Sequence, residues 1–76
     1  MMLLLDTGPW VALFSRNDKH HRWAVEQFRL LPPPFLSYEA VVAETCFLLT
    51  RSGFDPSLAL QFIDQGVVQL LFVLHE

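Results

Sequence analysis

Residues 35–53 read FLSYEAVVAETCFLLTRSG, and how this stretch folds decides the class of the whole chain. FLSY (35–38) follows three prolines, is short and largely apolar, and reads as a strand. EAVVAETCFLLTR (39–51) has the length and residue types of a helix, with Ser37 placed to cap its start and Gly53 placed to take the left-handed conformation after its end. A strand that passes straight into a long helix is one half of a strand–helix–strand unit.

The same alternation continues on both sides. Downstream, Asp55 and Pro56 give the cap-plus-proline signal for another helix, Gly66 closes it, and VVQLLFVL (67–74) reads as a strand. Upstream, PPP (32–34) stops a helix that Asp18 is placed to cap, running to about Leu31 with Trp23, Phe28 and Leu31 on or near one face. Before it, SRND (15–18) makes a turn. A short helix to about Phe14 starts near Pro9, and MLLL (2–5) is a continuously apolar strand. Strands separated by helices predict a parallel sheet with right-handed crossovers. The expected fold is a three-layer α/β/α arrangement with parallel strands near 2–5, 35–38 and 68–74.

Composition bounds what such a fold can do. Of 76 residues, 53% are hydrophobic and only 17% charged, below the roughly 25% of an ordinary soluble domain. A chain this short buries only ~60% of its unfolded surface, so the apolar excess predicts association, or membership of a larger domain. The net charge of −3 gives no general attraction for nucleic acid. Four of the five basic residues, Arg16, Lys19, Arg22 and Arg29, nevertheless share one stretch with His20 and His21. That stretch reads first as a solvated helix face and second as a weak phosphate-facing patch. Cys46 is the only cysteine, which excludes an internal disulfide and fits a reducing cytoplasm; it reads as a small buried hydrophobe rather than a nucleophile. No signal-peptide core or membrane-spanning run is present, so the expectation is a soluble protein.

Two carboxylates stand out. Asp6 ends the first strand, and ligands of open α/β sheets gather beyond the carboxyl ends of the strands. The same residue, with Thr7 and Gly8 after it, can instead cap the next helix. Glu44 falls between Phe47 and Leu48 on a helical wheel, in a helix apolar around most of its girth, which predicts burial. A buried carboxylate calls for a metal or a partner such as Arg51. Glu39, in the first turn of that helix, is accounted for by the helix dipole. Two acids from separate elements suit a hard divalent cation, Mg²⁺ or Mn²⁺. His20 and His21 lie about 100° apart on a helix and do not share an ion, and His75 reads as exposed.

LLLDTGPWVALF (3–14), DKHHRWAVEQF (18–28) and FLSYEAVVAETCFLLTRSG (35–53) together resemble, in order and spacing, the N-terminal half of PIN-domain ribonucleases, especially the VapC-type toxins of bacterial toxin-antitoxin pairs. The resemblance implies that Asp6 and Glu44 belong to a metal-binding acidic cluster, that Thr7 supports it, and that the chemistry is Mg²⁺- or Mn²⁺-dependent hydrolysis of RNA. It further implies an antitoxin protein as partner. The family carries one or two more essential Asp residues in a second half of similar length. Asp55 and Asp64 do not stand in for them, so residues 1–76 are expected to form the N-terminal portion of a single PIN-like domain, nearly inactive alone and prone to dimerise or self-associate. The rival expectation is a noncatalytic remnant that binds an antitoxin or another PIN subunit. A phosphatase of the haloacid-dehalogenase type also begins from a strand-end Asp, but Gly8 stands where its second acid belongs.

Overall fold

The structure is a computed structural model, and it describes residues 4–71. Helix α1 spans Thr7–Phe14, α2 His21–Leu30, strand β1 Phe35–Tyr38, α3 Glu39–Arg51, α4 Ser57–Asp64 and strand β2 Val68–Leu71. β1 and β2 are parallel, with Phe35 opposite Val68 and Tyr38 opposite Leu71. On the other side of β1, Leu4 forms a parallel bridge with Leu36, and the Leu5 amide donates to the Leu36 carbonyl at 2.6 Å. β1 is therefore the middle of three parallel segments. This is the α/β parallel-sheet architecture expected from the sequence; positions 2–3 and 72–74 of the expected outer strands, and His75, lie outside the described residues.

Helix ends follow the turn chemistry, with instructive shifts. After α3, Gly53 has φ 87° and Gly66, after α4, has φ 78°. Each completes the same closing motif: the Phe54 amide donates to Leu49 O and Gly53 to Thr50 O, as Val67 does to Phe62 O and Gly66 to Ile63 O. These bonds satisfy carbonyls that a helix end would otherwise leave unpaired, in a conformation that costs glycine least. Asp18 does not cap α2 directly. Its side chain accepts the His20 amide at 2.8 Å and its carbonyl accepts the His21 amide at 3.0 Å, so it builds a turn and the helix opens three residues later. Nor does Ser37 cap α3: it is fully buried on the inward face of β1, and its hydroxyl donates to Leu5 O at 3.2 Å. Strand alternation turns it into the sheet instead, where it ties β1 to the first segment.

The core is aromatic. Phe28 of α2 meets Phe35 of β1 at a centroid distance of 4.6 Å, and Phe62 of α4 meets Phe14 of α1 at 5.2 Å, Phe28 at 5.9 Å and Trp10 at 6.5 Å. Four elements thus share one cluster, and Leu49 of α3, fully buried, joins it.

Two expectations about side-chain placement are corrected. α3 is not buried around its girth: Val42, Thr45 and Leu49 face the core, while Ala40, Ala43, Glu44 and Phe47 are exposed, Phe47 at 63%. Those four positions fall at i, i+3, i+4 and i+7, one stripe of the helix. Apolar composition alone does not tell a covered stripe from an uncovered one. Trp23 likewise does not share the core face of α2 with Phe28 and Leu31; it is 54% exposed, and Ala24 takes the fully buried position. Five residues separate Trp23 from Phe28, about 140° around the axis.

Candidate active site

Asp6 stands where the first extended segment ends and α1 begins. Its backbone is extended (φ −92°, ψ 168°), and its Oδ1 accepts the Thr7 amide at 2.8 Å. Both readings of this residue therefore meet in one place: it caps α1, and it lies at the carboxyl end of the sheet. Capping engages one oxygen and leaves the other available. The side chain is exposed.

A hollow of about 180 Å³ opens beside it, lined by Leu4, Leu5, Asp6, Tyr38 and Val41. Val41 connects Asp6 to α3, because Glu44 follows one turn later on the same side of that helix. Glu44 is exposed rather than buried and does not itself line the hollow, and among the described residues the ion pair is Arg29–Glu26, not Glu44–Arg51. The partner that burial would have demanded is not needed. Thr7 is buried at 6% exposure, and its hydroxyl has no hydrogen-bond partner among the described residues. An unpaired buried hydroxyl beside a half-engaged carboxylate is a cost the fold carries at this point.

The donors fit a hard divalent cation in kind: carboxylate oxygens of Asp6 and Glu44 with a hydroxyl nearby, and no sulfur or imidazole. They are few in number. Among the described residues no three His, Cys, Asp or Glu side chains gather closely enough to hold an ion by themselves. The histidines are committed elsewhere or apart: His21 Nδ1 is bonded to Ala12 O at 2.7 Å, tying α2 to α1, and His20 is exposed. Cys46 is half-buried with Sγ 3.8 Å from Pro56 O, and burial pushes its thiol pKa up, away from nucleophilic character.

One feature escaped the sequence reading. An open groove of about 440 Å³ runs beside α1, lined by Gly8, Pro9, Asp18, His20 and Trp23. The signal available for it was residue spacing: with Phe28 on the core face, Trp23 lies about 140° away around the axis of α2. No described helix is long and apolar enough to cross a membrane.

Comparison with known proteins agrees with this fold. No curated protein matches the chain. Among solved structures, the chain is similar to VapC20 of Mycobacterium tuberculosis, described as a toxin that cleaves the sarcin-ricin loop, with 26% identity and a TM-score of 0.79. The match covers 92% of this chain and 55% of that one, so the chain spans about half the length of the structure it matches. Residues 3–71 match the PIN domain, from the first extended segment that ends in Asp6 through β2, and the chain therefore belongs to the PIN-domain family.

Proposed function

We infer that the chain contributes to metal-dependent cleavage of RNA, as the N-terminal portion of a PIN-type toxin domain, with Asp6 and Glu44 as metal ligands and Thr7 in support. The observation that carries this reading is Asp6 itself, a strand-end carboxylate with one oxygen free, sharing a hollow with the turn of α3 that leads to Glu44. The VapC20 likeness supports RNA as substrate and an antitoxin protein as partner.

Asp6 is held by its own cap bond, so its free oxygen is presented in a fixed direction. Glu44 is carried on a helix anchored by buried Val42, Thr45 and Leu49. Mg²⁺ or Mn²⁺, when bound, supplies Lewis-acid polarisation of a phosphodiester and a water of lowered pKa. Two carboxylates are a minority of the ligands of an octahedral ion, so the chain alone is a very poor nuclease. The test is Mn²⁺ titration of the chain and of its Asp6→Asn and Glu44→Gln variants, with RNA cleavage measured alone and with the C-terminal portion of VapC20 added. Saturable binding lost in both variants, with cleavage restored only by the added portion, is the expected result. Binding that survives both substitutions, or strong EDTA-sensitive cleavage by the chain alone, refutes it.

A second reading has its own observation. The exposed stripe Ala40, Ala43 and Phe47 suits a noncatalytic subunit that docks on an antitoxin or another PIN chain, in which case neither carboxylate affects metal affinity.

A further inference from the structure

We propose that the groove between α1 and α2 is a nucleotide subsite, in which Trp23 stacks on one unpaired base of the RNA and Lys19 and Arg22 meet the adjoining phosphates. The proposal rests on the ribonuclease reading above but concerns different residues. Trp23 is a large aromatic left 54% exposed on a chain that buries its other tryptophan completely, and it forms one wall of the 440 Å³ groove opposite Gly8 and Pro9. That volume lies within the range of small-molecule sites and admits a nucleoside. Indole faces stack on any base, so such a wall binds single strands with little sequence preference.

Charge selects the occupant. The chain is net negative, yet Lys19 and Arg22 are both exposed and directly precede His20 and Trp23, two residues that line the groove. Asp18 also lines it; one of its carboxylate oxygens accepts the His20 amide at 2.8 Å, and its single negative charge is outnumbered by the two cations that follow it in sequence. Arg29, further along α2, is paired with Glu26 at 2.6 Å. Exposed cations flanking an aromatic wall in sequence are the pattern that grips a single strand, whereas a purely apolar partner would leave those cations without a role. Position completes the case: Gly8 and Pro9 directly follow Asp6 and Thr7 in the first turn of α1. A base held in the groove places its own backbone within about one helical turn of Asp6.

Gly8 provides a clean way to close the groove. A Cβ there meets no atom within 4 Å beyond its chain neighbours, so Gly8→Leu projects into the groove; because a residue before proline favours extended backbone, circular dichroism of this variant is read alongside, and Trp23→Ala tests the groove independently. The experiment measures binding of a fluorescein-labelled single-stranded RNA decamer by anisotropy in EDTA, so that metal-dependent cleavage plays no part. Trp23→Ala and Gly8→Leu should each raise Kd about tenfold, and Trp23→Phe should stay within about threefold of the native chain. Lys19→Ala and Arg22→Ala should each lower the salt slope of binding by about 0.7. An abasic strand should bind as weakly to the native chain as RNA does to Trp23→Ala. Because RNA binding is read in EDTA and Mn²⁺ binding of the native chain is titrated separately, failure of the subsite is distinguished from failure of the metal site. Native affinity in both Trp23→Ala and Gly8→Leu overturns the proposal. So does equal affinity for the abasic strand, or a groove whose closure blocks a protein partner and not RNA.

Discussion

Replacing Asp6 by Ala and by Asn separates its two duties. The Ala variant loses the 2.8 Å bond to the Thr7 amide, and α1 has no other acid in its first turn to compensate. Loss of such a cap costs about 1 kcal/mol, within a range of roughly 0.5–2. For a domain of this size that lowers Tm by about 4–8 °C. Asparagine keeps an oxygen in the same position and ranks with aspartate as a cap, so Asp6→Asn should cost only a few tenths of a kcal/mol. Metal reverses the comparison. At a Mn²⁺ concentration near one hundred times Kd, the native chain should gain about 2.7 kcal/mol, because the ion binds the folded state alone. Neither variant should gain it. Thermal unfolding by circular dichroism, with and without Mn²⁺, reads all the values. If Asp6→Asn is stabilised by Mn²⁺ as much as the native chain, the carboxylate is not a ligand. If Asp6→Ala unfolds at the same temperature as Asp6→Asn, the cap bond contributes nothing.

Glu44→Gln should leave metal-free stability within about 0.5 kcal/mol, since the residue is exposed and its ion pair with Arg51 is not formed; a larger loss in urea unfolding would show that the carboxylate has a structural partner. Leu49→Ala removes a side chain with no exposed surface and should cost about 2–5 kcal/mol, a large share of what a domain of this length holds. Urea unfolding with a loss below about 1 kcal/mol would mean that α3 is not seated as described. The Ser57 amide, and then its hydroxyl, hold the Asp55 carboxyl below the usual aspartate range. Because the folded pKa is the lower one, this contribution is present above the unfolded value of about 3.9 and disappears as pH falls through the folded value. Acid unfolding of Asp55→Asn should therefore show a weaker pH dependence below about pH 4 than the native chain, and an unchanged profile would count against the assignment.

What could be read from the sequence was local chemistry. The bounds of β1 and α3 and the two glycines at positive φ follow from residues whose backbone preferences act within a few positions, and the parallel pairing follows from the order of strands and helices. Asp6 was legible for the same reason. The errors share one cause, that covering a surface depends on neighbours distant in sequence. A helical wheel places Glu44 correctly beside Phe47, but only the packing of α3 shows which side of that wheel meets the core. Ser37 looked like a cap because it stands one residue before the helix junction, and the sheet claimed its hydroxyl first. Trp23 was read onto the face of Phe28 and Leu31, but it stands about 140° from Phe28 around the axis, and Ala24 takes the buried position instead.

The central position of β1 also shapes how the chain can find its fold. Leu36 in the middle of the sequence pairs with Leu4 on one side and Gln69 on the other. Each pairing closes a loop of roughly thirty residues, at a chain-entropy cost of about 3 kcal/mol from the length-dependent part alone. Neither closure requires the other. The search divides into two moderate steps that share a template, and the helices formed inside each loop shorten the distance to be closed. A substitution that weakens β1 should therefore slow both steps together, whereas one in the first segment or in β2 should slow only its own.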